Sequence, residues 1–380
     1  MSSPDVAETL AGLIRINSVN PAYEGGPGEA ELAGWVRRFF EQRGIEVFEQ
    51  PVWPERANVI ARLPGRNPDR RVIMEAHLDT VSIAGMTIHP FEPRIDEGRI
   101  FGRGSCDTKG GLAAMMHAVA AVHAEGLAPP CEVWLAAVVD EEFSFRGAAK
   151  LCEGMVAHAA VVAEPTGLRA VIASKGVLRW RIVVRGRSAH SSRPELGINA
   201  IDHMARVILA LEEAHARLAA REHPLLGPAT GSVGVIRGGV QVNVVPDECA
   251  IEIDRRLLPG ENASAVLAGY RSLLDELQRR HPTLHATMEP PMLIDEALET
   301  PADAAVVRLA CDVLQQHGLD GTPCGVPFGS DASKLSRQGV PSIVFGPGSI
   351  AQAHAAVEFV ELAQVRAAAA FYRDFILRFE

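Results

Sequence analysis

The chain has 380 residues, 47% of them hydrophobic and 22% charged, with a formal net charge of -10. That length exceeds what one compact core usually spans, and the composition is that of a globular enzyme, so two domains are expected and disorder is excluded. The acidic balance argues against a nucleic-acid partner, and no apolar run approaches the ~20 residues of a membrane span.

The first twenty residues carry Asp5 and Glu8 in place of a basic start followed by an apolar stretch, so no signal peptide is expected. Cys106, Cys131, Cys152, Cys249, Cys311 and Cys324 are scattered without a C-x-x-C pair. In a chain of this size they read as reduced thiols, and a cytoplasmic location is expected.

Residues 29–43 place Leu32, Trp35, Val36 and Phe39 at helical spacing, with Gly44 as the stop. Short apolar runs follow at 58–63, 71–76, 132–139 and 159–163, with a helical stretch over 109–125 between two of them. This alternation predicts buried strands in a mostly parallel central sheet covered by helices, an α/β catalytic domain.

From Val177 the grammar changes. Residues 177–185 alternate Leu178, Trp180, Ile182 and Val184 with Arg179, Arg181 and Arg185. A helix carries Ile198, Ile201, Met204, Ile208 and Leu211 along one stripe, and strands are predicted near 231–237 and 247–255. A helix with Val266, Tyr270, Leu273 and Leu277 and a strand at 283–289 close the segment. The order β-α-β-β-α-β predicts a ferredoxin-like α+β domain over 177–290, inserted into a catalytic domain made of 1–176 and 291–380. The last part returns to apolar runs, including 342–345, and ends in a helical stretch over 362–379.

Polar residues sit just past the predicted strands, where open α/β sheets build their sites. His77 and Asp79 follow 71–76, Glu141 and Glu142 follow 132–139, Glu164 follows 159–163, and His354 follows 342–345. Asp107 lies in a glycine-containing loop before a helix, where alone it would read as an N-cap. Taken singly, the others read as a hydrogen-bonded surface histidine, a solvated strand end, a turn and a lone histidine. Their joint placement at one sheet edge argues against coincidence. Three adjacent acids, Asp140, Glu141 and Glu142, call for a cation to offset them. Neighbouring residues at a strand end point in opposite directions, so one glutamate can bind a metal while the other serves as a general base. Asp79, two residues after His77, can hold the imidazole in its ligating tautomer.

The segments His77-Leu78-Asp79-Thr80, Gly104-Ser105-Cys106-Asp107, Asp140-Glu141-Glu142, Ala163-Glu164-Pro165-Thr166 and the Gly346–His354 loop resemble the M20 metallohydrolases. Within that family they most resemble the acetylornithine deacetylase and succinyl-diaminopimelate desuccinylase branch, over nearly the full chain. The resemblance implies a hydrolase of N-acyl amino acids holding two zinc ions, with acetylornithine-like deacylation leading, desuccinylation or dipeptide cleavage as the close alternatives and a non-catalytic metal-dependent binding protein as the reading from another class; nitrogen and oxygen donors of this kind also admit cobalt or manganese. It implies that His77, Asp107 and Glu164 bind one ion and Asp107, Glu142 and His354 the other, with Glu141 as general base and Asp79 orienting His77. It makes the inserted domain a lid and dimerisation domain whose His190 stabilises the oxyanion of a partner subunit's site. It also implies that Asn243, Arg256 and Ser330 contact substrate. The chain departs from the family at Val357, where an acidic residue is common, so that either Glu358 compensates as the support for His354 or the second site is weaker, and at Thr108, where methionine is common.

Overall fold

The computed structural model describes Asp5–Glu380; residues 1–4, the start of the expected 1–176 segment, lie outside the described residues. The chain divides into two compact units. The first takes the chain up to Ile172, Glu299–Cys324 and Ser330–Glu380; the second takes Ala173–Leu298 and Gly325–Gly329.

In the first unit, strands Glu46–Trp53, Arg56–Leu63, Cys131–Val138, Asn67–His77, Ala159–Val162 and Ser342–Val344 lie side by side in that spatial order. The two at the start pair antiparallel, while the last four run parallel to one another. Buried strands need apolar side chains on both faces, and Val72, Ile73, Met74, Val133, Leu135, Val161 and Ile343 supply them. Helix Lys109–Ala124 is buried almost all round and packs against Leu362–Arg378 and Val6–Ile14. It is therefore a core helix and not an amphipathic surface one. The parallel pairing has one consequence for function: all four central strands end at the same edge, and each end carries acid or imidazole side chains.

The second unit holds strand Gly176–Arg185, helix Ala200–Ala216, strands Thr230–Gly238 and Glu248–Leu257, helix Ala263–Arg280 and strand His285–Met288, in that chain order. This is the expected β-α-β-β-α-β sequence. Leu178, Trp180, Ile182 and Val184 face the helices and are buried with Met204, Val207, Leu267 and Leu274. On the opposite side Arg179 pairs with Asp254 at 2.8 Å and Arg185 with Glu248 at 2.8 Å, cross-strand neighbours in the register. The unit is wider than 177–290. Strand Leu293–Asp295 also pairs with Gly176–Arg185, so the small sheet keeps the chain five residues past Pro290 before it leaves.

Candidate metal centre and its supports

The parallel strands deliver the candidate residues as follows. His77 is the last residue of its strand, Glu141 and Glu142 follow Cys131–Val138, Glu164 follows Ala159–Val162, and His354 follows Ser342–Val344. Asp107 comes from the loop entering helix Lys109–Ala124. That loop turns at Gly104, whose φ is +81° and where a Cβ would lie 2.9 Å from Thr80 Cγ2.

All of these residues meet in the first unit. His77 Nε2 lies 3.0 Å from Asp107 Oδ1, and His354 Nε2 lies 3.3 Å from Asp107 Oδ2. His354 Nε2 is also 3.2 Å from Glu142 Oε1. Ligand atoms of His77, Glu141 and Glu164 all lie within 4.8 Å of one another, as do those of His77, Asp107 and Glu142. Both triplets draw on the expected residues. Glu141, expected as the base, stands within the same reach of His77 and Glu164 as a ligand would.

Charge at this edge is in tension. Burial, and then the Asp107 carboxylate, push Glu142 up to about 7 against the His354 hydrogen bond. Burial, followed by neighbouring carboxylates, raises Glu141 and Glu164 well above the usual carboxylate range. Burial raises Asp107 too, but hydrogen bonds from His354 and His77 outweigh it and hold the group ionised. Hydrogen bonds to Asp107 and Glu142 push His354 up to about 10. Two imidazoles and four carboxylates of this kind, all nitrogen and oxygen donors, suit a pair of divalent cations such as zinc, cobalt or manganese.

The supports differ from the expected ones. His77 Nδ1 is held by the backbone carbonyl of Asp79 at 2.9 Å, while the Asp79 carboxylate is farther, at 3.6 Å. That carboxylate instead accepts the backbone N–H of Glu141 and of Glu142, both at 3.0 Å, and the amide of Asn20 at 2.8 Å. Asp79 thus orients His77 through its main chain and the two glutamates through its side chain. Asp140 has its own cation: Arg56 reaches it at 3.1 Å while forming a two-pronged pair with Glu29. Sequence spacing did not disclose Asn20, Glu29 or Arg56, which lie far from the acids in the chain. Glu75, two residues before His77, and Asp331 are also buried here, and burial followed by Asp331 raises Glu75 well above its usual range. A glutamate inside an otherwise apolar strand was the available signal. Neighbouring Ser330 is buried as well.

His190, Asn243 and Arg256 belong to the second unit. There Ser191 N–H donates to the Asn243 carbonyl at 3.0 Å, and His190 bridges to Val244, which brings His190 and Asn243 together. Ser192 N–H donates to His190 Nδ1 at 3.1 Å, which leaves Nε2 as the ring nitrogen able to donate. Arg256 is engaged by Asp254 at 2.7 Å.

No helix among the described residues is long and apolar enough to cross a membrane. The sequence profile of peptidase family M20/M25/M40 matches residues 73–378. An acetylornithine deacetylase of Myxococcus xanthus is 31% identical over 94% of this chain and 93% of its own length. Among solved structures, a Bacillus cereus aminopeptidase superposes with a TM-score of 0.80 at 23% identity, covering 98% of this chain and 97% of its own. A dinuclear metal-binding M20 peptidase of Bacillus subtilis gives 0.75 at 18% identity, covering 98% and 96%.

Proposed function

The chain belongs to peptidase family M20/M25/M40, and from that premise we propose that this hydrolase is a two-metal amidohydrolase that removes an acyl group from an N-acyl amino acid, in the manner of an acetylornithine deacetylase. One observation carries the reading: the two oxygens of Asp107 face two different imidazoles, His77 and His354. A carboxylate so placed could serve two cations, one through each oxygen. His77, Asp107 and Glu164 would hold one, and Asp107, Glu142 and His354 the other. Bound there, zinc ions supply Lewis-acid polarisation of the scissile carbonyl and acidify water to near-neutral pKa.

The chain's own groups supply the rest. Glu141 takes a proton from the attacking water and delivers it to the amide nitrogen as the C–N bond breaks, giving a carboxylate and a free amine. Asp79 keeps Glu141 and Glu142 in register by holding both amides. The Nε2–H of His190, from the lid of a second copy, donates a hydrogen bond to the oxyanion, with Asn243 beside it. Arg256, exchanging Asp254 for substrate, clamps the carboxylate of the amino-acid half.

Dimerisation through the lid is supported within the second unit. Thr230–Gly238 is an edge strand, paired on one side by Glu248–Leu257. Just beyond it Val240 and Val242 are 86% and 102% exposed, apolar groups that a second copy would cover. The identity of the substrate is tested by a hydrolysis screen of the zinc- or cobalt-loaded protein over N-acetyl, N-succinyl, N-formyl and N-carbamoyl amino acids and dipeptides. N-acetylornithine or a close relative is expected to give the highest kcat/KM. A screen in which only dipeptides turn over refutes the deacylase assignment.

A further inference from the structure

We infer that Glu358 is a positioning residue for Asp107, and that with Arg103 it sets the distance between the loop carrying Asp107 and the segment carrying His354. The inference rests on the two-metal reading above and assigns a role that the ligand set does not include.

Local structure places Glu358 first. Strand Phe359–Glu361 pairs antiparallel with Arg99–Phe101, with Phe359 opposite Phe101. The ladder continues one step, since Gly102 N–H donates to the Glu358 carbonyl at 3.1 Å. The side chain therefore enters the loop that leaves Gly102 and runs to Asp107. One of its oxygens accepts two consecutive backbone N–H groups there, those of Cys106 at 3.0 Å and Asp107 at 3.1 Å. Consecutive amides of this kind form a concavity suited to an anion. The other oxygen takes Arg103 Nη1 at 2.6 Å, and Arg103 Nη2 donates to the Ser82 carbonyl at 2.9 Å.

Glu358 is fully buried and Arg103 is 2% exposed. A buried ion pair is a costly way to stabilise a fold, because both charges lose their water. Its benefit here is geometric. A neutral side chain would accept the same amides more weakly, and an unbalanced carboxylate would repel Asp107. With Arg103 on its other oxygen, the Glu358 side chain is fixed where it holds the Asp107 backbone. Glu358 also stands four residues after His354 in the same segment. It thereby ties together the two residues that reach the same cation from different parts of the chain. This differs from the support expected for His354: the carboxylate bonds the Asp107 loop and not the imidazole.

The test uses the full-length protein stripped with chelator and titrated with cobalt(II) chloride, reading visible absorption and the affinity of each equivalent. Supporting groups one step behind a ligand typically change metal affinity about 10- to 100-fold. For Glu358→Gln the second equivalent is expected to bind about 10- to 100-fold more weakly, with an altered cobalt spectrum at saturation, while circular dichroism stays that of the folded protein. Because Glu358→Gln leaves Arg103 buried without its partner, the double variant Arg103→Met/Glu358→Gln is measured beside it. The double variant is expected to fold without recovering cobalt affinity or spectrum. Wild-type affinity and spectrum in either folded variant overturn the inference. If the wild-type protein itself takes up fewer than two equivalents, the two-metal reading fails instead, and the two failures are thereby told apart.

Discussion

Asp107 joins the two halves of the centre because its side chain has one oxygen for each imidazole and its backbone is gripped from behind. Asp107 and Glu142 each hydrogen-bond an imidazole, whereas burial and the charges around Glu141 set its character by raising its proton affinity. In the proposed reaction Glu141 needs that affinity to take a proton, and bound cations would keep it ionised at rest. Replacing Glu141 by Gln should lower kcat by about 10²- to 10⁴-fold, the usual contribution of a general base. Metal content should stay at two per chain. Loss of metal in step with activity would make Glu141 a ligand instead.

At the scale of elements, the parallel strands were readable because a strand buried on both faces requires a mostly apolar run, as in 159–163 between His158 and Glu164. The metal-site candidates could be found for the same reason, since strand ends mark the sheet edge. The three-residue strands Arg94–Asp96, Arg99–Phe101 and Phe359–Glu361 are too short to show a period, so the ladder that seats Glu358 was invisible. Edge strand Glu46–Trp53 was missed because Glu46, Glu49, Gln50 and Pro51 mask its alternation. The Asn20, Arg56 and Asp79 bonds to the acids cross long sequence separations, and spacing carries no trace of them.

Helix Lys109–Ala124 contributes the prediction at this scale. His117 shares a 2.7 Å hydrogen bond with Thr9 where the helix meets Val6–Ile14. Burial, then the Arg43 charge, push its pKa down to about 4, with Asp5 opposing. A depressed histidine is neutral in the folded state, so its stabilising contribution is complete above the ordinary value of 6.5 and is lost as pH falls from there toward 4. Discounted for partial solvent screening, the loss between pH 7.5 and pH 5 is about 1 kcal/mol. Urea unfolding at the two pH values should show that extra loss in wild type and not in His117→Gln. Equal losses would mean that His117 titrates as it does in the unfolded chain.

The whole molecule separates two tasks. The first unit concentrates charge on a rigid sheet edge, where parallel strands and buried carboxylates hold each donor in place. The second unit carries Arg256 on a smaller sheet with an exposed edge and His190 and Asn243 in segments outside its strands, and in the proposed reaction it supplies the oxyanion donor and substrate contacts. The bridging role of Asp107 is the claim on which the rest depends. It is tested most directly by calorimetric zinc titration of the chelator-stripped wild type, His354→Ala and Asp107→Asn. Two equivalents are expected for wild type, one for His354→Ala, and none at micromolar affinity for Asp107→Asn. An Asp107→Asn protein that retains one equivalent at wild-type affinity would contradict the shared-carboxylate centre.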